Sequence, residues 1–347
     1  MPKVAFVLLA AAALAWIPRA AAADDTLHVA AAFAGGIEVL ENVAKYGGLY
    51  AAEHLDVDKQ YTGSGSICVQ LAATGKIDAC ATSLEPTILG YDKGIRLQMF
   101  FSRVHDYEFV LAVLADSPIK TLADFKGKQI GEPSVGDASE IVANNSLAGA
   151  GLKRSDYTFV PIGVGGQALS ALAAHKVDAL TTSATALGTE AAVAHMKFRI
   201  FHDPILGSIP DSGFEARPDV IAAKADLFKR YVRAIVKAAI LVRENPRVAA
   251  RYTLMGENVG TKITPEALDT ETAELIGLQS HLVGTDPRDT RLGETPLASI
   301  ALYCKLLNET GWTSTLVPAQ AIVTNEFIAY GNDFDHKAWI AEVKRMR

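Results

Sequence analysis

The sequence predicts an α/β fold of two lobes that is followed by a helical C-terminal segment. Short apolar strands alternate with helices up to about residue 222, a repeat recurs at an offset of 100 residues, and later residues follow helical periodicity. The length of 347 residues suits about two domains, and the hydrophobic fraction of 50% is typical of globular proteins. We therefore expect one α/β unit in each lobe.

The N-terminus has the organisation of a cleaved secretory signal. Lys3 precedes an uncharged apolar run over residues 4–17, and four successive alanines then provide an A-x-A cleavage site. The run is shorter than the roughly 20 residues that cross a bilayer, which disfavours a membrane anchor. We predict cleavage after Ala23. Loss of residues 1–23 removes Lys3 and Arg19, leaving 324 residues with a net charge of −8 and no nearby cysteine for a lipid anchor.

The repeat relates residues 61–83, the first unit, to residues 161–183, the second unit. Eight of the 23 aligned positions are identical, and the Gly-x-Gly and Lys-(Ile/Val)-Asp-Ala matches are the most specific. Two ordinary β-α-β units could converge on this turn chemistry, but we favour one related unit per lobe. The identical pairs are Gly63/Gly163, Gly65/Gly165, Ala73/Ala173, Lys76/Lys176, Asp78/Asp178, Ala79/Ala179, Thr82/Thr182 and Ser83/Ser183.

Each unit is predicted to contain an extended segment that ends in a Gly-rich turn, then a short helix and a short apolar strand. The helices are expected over 67–74 and 167–174, and the strands over 77–81 and 177–181. Each strand runs into Thr-Ser, so hydroxyl groups should lie near the free N–H groups of a helix start. Ligands bind at the carboxyl edge of open α/β sheets, and helix N-termini there favour anions.

The rest of the chain supplies the remaining elements. Cap–proline pairs at 264–265 and 295–296 mark helix starts in the C-terminal segment. Outside the units, the predicted elements are a strand over 27–32, a helix over 37–54, strands over 109–114 and from 129, a helix over 139–150, a strand over 198–201, and helices over 226–243 and from 246.

Motifs for catalysis, metal binding or nucleic-acid binding are not evident. The eight histidines form no H-x-x-x-H pair, and neither Gly-Lys step continues into the Ser or Thr of a phosphate-binding loop. A net charge of −6 disfavours a nucleic-acid partner, which requires a basic face. Cys68 and Cys80 can form a disulfide in an oxidising compartment, but two buried thiols are the simpler interpretation. Cys304 is predicted to be a core residue. We expect no metal and no cofactor.

The segment FVLAVLADSPIKTLADFKGKQIG at 109–131 resembles the solute-binding proteins of nitrate/sulfonate/taurine-type ABC transporters, including their pyrimidine-precursor-binding branch. Gly-Leu-Tyr at 48–50 stands where that family has a Gly-Leu-Phe-like step. Both Lys-x-Asp-Ala segments and the long C-terminal helices follow in the family's order. The resemblance covers nearly all of residues 24–347 and is specific for fold and class rather than for the ligand.

The resemblance implies a type II periplasmic-binding-protein fold, in which two α/β lobes joined by two crossover strands close like a hinge. Lobe I would contain residues 24–112 and 213–347, and lobe II residues 113–212. It also implies a periplasmic, monomeric binding component, without enzymatic activity or a membrane anchor, that delivers a small molecule to the membrane permease of an ABC importer.

The same resemblance places the ligand site on loops of both lobes. Backbone N–H groups and hydroxyls can hold an oxyanion without a full counter-charge. Lobe I would offer Phe33, Ala34, Gly35, Ser64, Gly65, Ser66, Thr82 and Ser83. Lobe II would offer Ser134, Val135, Gly136, Asp137, Ala138, the turn of Gly163, Val164 and Gly165, and Thr182 and Ser183.

Several features of this site remain open at the level of sequence. About half of the named serines are expected to serve only in turns and caps. Arg103 and Arg217 flank the crossovers as alternative cations, whereas Asp137 and Glu85 would hold the amine of a zwitterion or cap helices. The expected ligand is a sulfonate, a taurine-like molecule or a carboxylate. The alternatives are a neutral heterocycle such as a pyrimidine precursor, a sensor-type binding domain, and an enzyme like thiamine-pyrimidine synthase, whose clustered cysteines are absent here.

Overall fold

The computed structural model describes residues 25–32, 38–105, 107, 109–135, 137–184, 186–188, 194–202, 209–210, 212–257, 262–279, 282–283 and 291–347. The predicted signal peptide lies outside the described residues, as do Phe33, Ala34, Gly35 and Gly136 of the predicted site. Within the described ranges, no helix has both the length and the apolar character required to cross a membrane.

Two five-stranded mixed sheets form the framework of the described residues. The strands are β1 (Asp25–Ala31), β2 (Leu55–Tyr61), β3 (Ala79–Ser83), β4 (Gln98–Ser102), β5 (Phe109–Leu114), β6 (Gln129–Glu132), β7 (Thr158–Pro161), β8 (Ala179–Ser183), β9 (Phe198–Phe201) and β10 (Ser212–Ala216). The first sheet has the order β2-β1-β3-β10-β4, and the second has the order β7-β6-β8-β5-β9. In each sheet three neighbouring strands are parallel, and the fourth strand is antiparallel to both of its neighbours.

Helices cover both faces of each sheet. They are α1 (Val39–Tyr46), α2 (Leu49–Ala52), α3 (Gly65–Ala73), α4 (Glu85–Tyr91), α5 (Ala138–Gly149), α6 (Gly166–Ala173), α7 (Pro218–Ala223), α8 (Ala225–Glu244), α9 (Pro246–Glu257), α10 (Pro265–Leu278), α11 (Leu297–Glu309), α12 (Ala319–Ile322), α13 (Ile328–Asn332) and α14 (His336–Val343). α1 and α8 pack on one face of the first sheet and α3 packs on the other, whereas α5 and α6 cover opposite faces of the second sheet. This confirms the predicted α/β fold with a helical C-terminal segment.

The chain passes between the sheets twice. It leaves the first sheet after β4, enters the second on β5, leaves the second after β9 and returns on β10. β5 and β10 therefore hold the same antiparallel position in their respective sheets. The predicted lobe boundaries at 112/113 and 212/213 fall within β5 and β10, and they stay a prediction.

Three local predictions need correction. The helix predicted over 37–54 is interrupted, because Gly48 adopts a φ of +73° and separates α1 from α2. Strand β4 was not predicted, and β2 was expected only as the extended segment that leads into the Gly-rich turn of the first unit. Cys68 and Cys80 form a disulfide with a Cα–Cα distance of 5.7 Å, so the interpretation as two thiols was wrong. Cys304 is a buried free cysteine, as predicted.

The repeat in sequence corresponds to a repeat in structure. The N–H of Asp78 donates to His28 O at 2.8 Å, and the Asp78 carboxylate accepts from His28 N at 2.9 Å. Asp178 makes the same pair of contacts with Gln129, each at 2.8 Å. The conserved spacing of this aspartate in the two units therefore has a structural cause: it aligns the strand of each unit with the neighbouring parallel strand.

Candidate functional site

The first unit brings the start of α3 against the end of β3. Gly65, the first residue of α3, lies so close to this strand that a Cβ atom placed on it would be 2.5 Å from Thr82 Oγ1. Thr62 fixes the preceding turn, since its N–H donates to Ala31 O at 3.0 Å and its hydroxyl donates to Ser64 O at 2.9 Å. Ser64 is the N-cap residue of α3, but its side chain makes no capping hydrogen bond.

Two further predicted residues of the first unit lie beside this contact. Ser66 is exposed in the first turn of α3, and half-buried Ser83 ends β3, where it pairs with Ser212 of β10. Thr82 is buried, and its carbonyl oxygen accepts from Ser212 Oγ at 3.1 Å. The structure thus assembles the predicted residues Ser64, Gly65, Ser66, Thr82 and Ser83 at the carboxyl edge of the first sheet.

The second unit has the same layout with different side chains. Gly163 and Gly165 adopt φ values of +79° and +69°, which glycine tolerates well. Gly165 is the N-cap residue of α6 and has no side chain with which to cap it. Half-buried Thr182 and Ser183 end β8, and Ile162 N donates to the last residue of β6 at 2.9 Å. These residues meet at the carboxyl edge of the second sheet.

The loop that enters α5 lies at the same edge as the second unit. It contains Ser134, Val135, Asp137 and Ala138, and its turn is closed by Asp137 N donating to Ser134 O at 3.1 Å. The Asp137 carboxylate caps α5, accepting from Ser139 N at 2.9 Å and from Ser139 Oγ at 2.6 Å. Of the two roles considered for Asp137, the structure shows the helix cap. Its contact with a ligand stays a prediction.

Helix α5 connects the two edges. Thr181 Oγ1 of β8 donates to Ser139 O at 2.7 Å near the start of this helix. On its other side, Ile141 and Val142 share a buried apolar cluster with residues that follow β3, including Leu84 and Ile88. Helix α5 therefore joins the loops of the two units.

A second connection runs through two aromatic residues before and within β5. Tyr107 is buried and donates its hydroxyl to the Glu85 carboxylate, which also accepts from Tyr303 at 2.6 Å. The ring of Tyr107 lies 5.7 Å from that of Phe109, and Phe109 pairs with Ser183. The sequence did not mark Tyr107 or Tyr303 as part of this region, because both are ordinary core aromatics by pattern.

Burial weakens the acidity of carboxyl groups behind the site. It raises the pKa of Glu85, although hydrogen bonds from Tyr107 and Tyr303 oppose the shift. Burial likewise raises the pKa of Asp137, against the hydrogen bonds from Ser139. Glu215 of β10 accepts from Thr87, and burial raises its pKa to about 8. Carboxyl groups held closer to neutrality repel a bound anion less strongly than free carboxylates.

Arg103 links elements behind the first edge. Its guanidinium, of which 1% is exposed, pairs with Glu38 at 2.6 Å and donates to Ser212 Oγ at 2.8 Å, and its N–H donates to Ser212 O at 2.9 Å. Burial would lower the pKa of Arg103, but Glu38 and Glu41 raise it above the ordinary value. This cation is enclosed by its partners and does not line the edge.

Arg217 lies away from the site. Its guanidinium pairs with Asp219 at 2.7 Å and donates to Ala73 O at 3.2 Å, at the end of α3 opposite to Gly65. Its proposed role as an alternative ligand-binding cation does not fit this location.

Apolar side chains are exposed at both edges. Val135 is 80% exposed and Val164 is 67% exposed in the loops of the second sheet, and Ile67 is 47% exposed in the first turn of α3. Val135 and Val164 lie in loops that the sequence analysis assigned to the site. Ile67 was missed, because an apolar residue in the first turn of a short helix has no distinctive sequence signal.

Two surface cavities lie at the opposite ends of the sheets. One of about 150 Å³ includes Leu114, His175 and Asp178, and one of about 510 Å³ includes Lys93 and Arg217. Both adjoin the helix ends and strand starts remote from the Thr-Ser steps. We assign the candidate site to the carboxyl edges, because helix starts without a side-chain cap lie beside the Thr-Ser strand ends there.

Comparisons with known proteins agree with this architecture. The model of the NMT1/THI5-like family matches residues 41–249, more than half of the chain. A protein of Brucella abortus (strain 2308), named provisionally as a binding protein, is 25% identical over 213 residues. That alignment covers 61% of this chain and 65% of the relative, just under two thirds of its length.

Solved structures show the same fold at low sequence identity. The periplasmic aliphatic sulphonate binding protein SsuA from Escherichia coli has a TM-score of 0.67 and 17% identity, over 86% of this chain and 92% of that one. The alkanesulfonate-binding protein SsuA from Xanthomonas axonopodis pv. citri, bound to MOPS, has a TM-score of 0.64 and 15% identity, over 88% and 99% of the two chains. With its two sheets and this family match, the chain has the periplasmic binding protein fold and belongs to the NMT1/THI5-like family.

Proposed function

We propose that this protein is the exported, monomeric solute-binding component of an ABC importer. It captures a small organic anion, such as a sulfonate, a taurine-like molecule or a carboxylate, between the two sheets and delivers it to a membrane permease. The observation that carries the proposal is the pair of matched edges, each with an uncapped helix start beside a Thr-Ser strand end. Cleavage of a signal after Ala23 and a periplasmic location are parts of the same proposal.

The polar groups of the two edges suit an oxyanion. α3 and α6 begin without a side-chain cap, so their first N–H groups remain available to a ligand. The positive end of each helix dipole adds to this preference. The hydroxyls of Thr82, Ser83, Thr182 and Ser183 lie at the adjoining strand ends, where they can supplement these donors.

The exposed apolar groups favour an organic anion over an inorganic one such as nitrate. Val135 and Val164 expose most of their apolar surface to solvent, and a ligand with an alkyl or aryl body would cover them. Burial of about 100 Å² of apolar surface contributes roughly 2.5 kcal/mol. A ligand with an acidic head and an apolar body uses both kinds of group.

A neutral heterocycle is the second candidate, and one observation favours it. The loops at residues 62–66, 133–138 and 162–166 contain no lysine or arginine, and the nearby cation of Arg103 is already paired. Hydroxyls and N–H groups would then bind ring carbonyl oxygens. Affinity that is independent of ionic strength would indicate this class, whereas an anion should bind more weakly in high salt.

Thermal stabilisation of the protein without residues 1–23 tests the proposal. A ligand at 100 times its Kd stabilises the folded state by about 2.7 kcal/mol and raises Tm. The panel contains MOPS, taurine, nitrate, aromatic carboxylates and pyrimidines. If no member shifts Tm, this range of ligands is wrong.

A tryptophan at each edge tests the location. Ser83→Trp and Ser183→Trp should block the site and abolish the shift caused by an active ligand. Thr74→Trp is the matched control, since Thr74 is exposed at the far end of α3. Unchanged shifts in both edge variants would contradict the assignment of the site.

Catalysis and sensing remain the competing functions. One similar structure, the desulfurization enzyme DSZB, is named an enzyme, with a TM-score of 0.58 and 16% identity over 88% of this chain, which shows the fold alone. A ligand that stabilises the protein and is recovered unchanged after prolonged incubation supports binding. Conversion of that ligand would favour an enzyme, and loss of uptake on gene deletion would separate transport from sensing.

A further inference from the structure

The disulfide lies directly behind the candidate site of the first unit. Cys68 is the fourth residue of α3, and Cys80 is the second residue of β3. Both residues have 0% exposed surface, and they pack with a small apolar group that includes Ala30, Val69 and Leu97. The bond therefore joins the helix that begins at the site to the strand that ends there.

The disulfide and the Gly65–Thr82 contact are neighbouring contacts in the interface between α3 and β3, which we call the helix–strand seam. Residues three apart lie on the same face of a helix, which places Cys68 behind Gly65. Residues two apart lie on the same face of a strand, which places Cys80 behind Thr82. A bond that fixes the distance between Cys68 and Cys80 therefore also limits the distance between Gly65 and Thr82.

The second unit makes the corresponding seam without a covalent bond. Ala168 and Leu180 stand at the positions of Cys68 and Cys80, and they pack in an apolar cluster with Leu169, Leu172 and Val177. The same backbone arrangement thus forms by packing alone. The fold of a unit does not require the bond, so its presence in one unit asks for another explanation.

We propose that the Cys68–Cys80 disulfide is a positioning crosslink for ligand binding. It holds the first turn of α3 at a set distance from the end of β3, so that the free N–H groups of that turn and the hydroxyls of Thr82 and Ser83 are arranged before the ligand arrives. This inference rests on the proposed binding function. A site arranged in advance loses less conformational freedom on binding, which increases affinity without any new contact.

Hydrogen exchange tests the positioning directly and requires no ligand. Cys68→Ala/Cys80→Leu transfers the pair of the second unit into the first, and Cys68→Ala/Cys80→Ala is a smaller variant in case leucine does not fit. Both are compared with the wild-type protein that lacks residues 1–23. We expect the hydrogen-bonded amides 68–72 of α3 to exchange about tenfold faster without the bond, and amides 169–172 of α6 to be unchanged. Equal exchange at 68–72 in a folded variant would overturn the proposal.

A matched variant separates positioning from general destabilisation. Leu180→Ala removes packing from the seam of the second unit and lowers stability by creating a cavity. It should leave exchange at 68–72 unchanged. If it accelerates exchange there as much as loss of the disulfide does, the bond acts only through overall stability and the proposal is wrong.

Calorimetry with MOPS, at a temperature where all variants are folded, measures the consequence for binding. If the arranged state falls to about a tenth of the population without the bond, affinity falls about tenfold. Wild-type affinity in the disulfide variants would overturn the proposal. If MOPS binds none of the proteins, the proposed ligand class fails, while the exchange experiment still decides whether the crosslink positions α3.

Discussion

The first and second units share a backbone and differ in the side chains that hold it together. In the first, β3 pairs with β10 so that Cys80 stands opposite Glu215, and a disulfide joins the strand to α3. In the second, β8 pairs with β5 in the same register, and Leu180 stands opposite Ala112. The first unit thus combines a covalent bond with a buried carboxyl group on the strand that pairs with it, and the second unit uses apolar packing alone.

This difference separates the contacts that both units share from those that are found at the first unit alone. The backbone contacts of Asp78 and Asp178 are the same in both units, so they belong to the architecture. The disulfide lies in the first unit and Glu215 lies on β10, which pairs with that unit, and neither has a counterpart at the second unit, so the architecture does not depend on them. Substitutions made in matched pairs can test this division.

Glu215 is expected to give the largest effect, through the pH dependence of stability. Burial raises its pKa from 4.5 to about 8 in the folded state. Between these pH values Glu215 keeps a proton in the folded protein that it has lost in the unfolded chain. Its contribution to the free energy of unfolding is therefore full below pH 4.5 and is lost as pH rises to 8. Glu215→Gln should remove this loss, which we put at roughly 2–4 kcal/mol between pH 5 and pH 8.

Chemical denaturation of both proteins at several pH values between 5 and 8 provides the measurement. The difference between their free energies of unfolding isolates Glu215, because other titrating groups are common to both. Ala112→Gly, at the corresponding position of β5 in the second sheet, serves as the control and should change stability by the same amount at every pH. Parallel curves for wild type and Glu215→Gln would show that Glu215 is ionised throughout.

Alanine substitution at the first residue of α3 and of α6 is expected to change stability in opposite directions. Gly65→Ala places a Cβ atom 2.5 Å from Thr82 Oγ1 and 3.1 Å from Pro86, and such crowding should cost about 1–3 kcal/mol. Gly166→Ala, at the first residue of α6, meets nothing within 4 Å and should stabilise by about 0.5 kcal/mol. Thermal unfolding of the two variants gives the sign of each effect. Equal destabilisation would mean that the seams are alike.

Removal of the two repeated aspartate carboxylates should lower stability by different amounts. The Asp78 side chain is 13% exposed and also binds Lys224 Nζ at 2.7 Å, whereas the Asp178 side chain is 42% exposed and lies 3.9 Å from Lys128 Nζ. We expect Asp78→Ala to cost about 2 kcal/mol and Asp178→Ala about 1 kcal/mol. Urea unfolding at neutral pH measures both. A larger loss for Asp178→Ala would reverse this ranking.

Local pattern was sufficient for much of the fold. β5 and β9 have their predicted bounds, and the repeat identified the turn, helix and strand of both units. β2 was expected only as an extended segment before the first Gly-rich turn, and β4 was missed because apolar and polar residues do not alternate along it. The disulfide could not be decided, since a spacing of 12 residues does not determine how closely α3 approaches β3.

The site was predictable as a set of loops rather than as a set of side-chain roles. Glycine turns and Thr-Ser steps located the carboxyl edges, because those residues mark strand ends and helix starts. The cap role of Asp137 was one of the two roles considered from the sequence, because its partner Ser139 is only two residues away. The enclosure of Arg103 and the contact between Glu85 and Tyr107 could not be read from the sequence, because their partners are distant along the chain.

The hydrogen bond between Arg103 N and Ser212 O has a consequence for the order of folding. The first sheet needs β10 between β3 and β4, yet Ser102 and Ser212 are 110 residues apart in the chain. Closing so long a flexible loop is slow, whereas the strands of the second sheet follow one another within 109–201. Early folding of the second sheet would shorten that loop. Pulsed hydrogen exchange during refolding should therefore protect β6 and β8 before β10, and destabilising the second sheet should delay completion of the first.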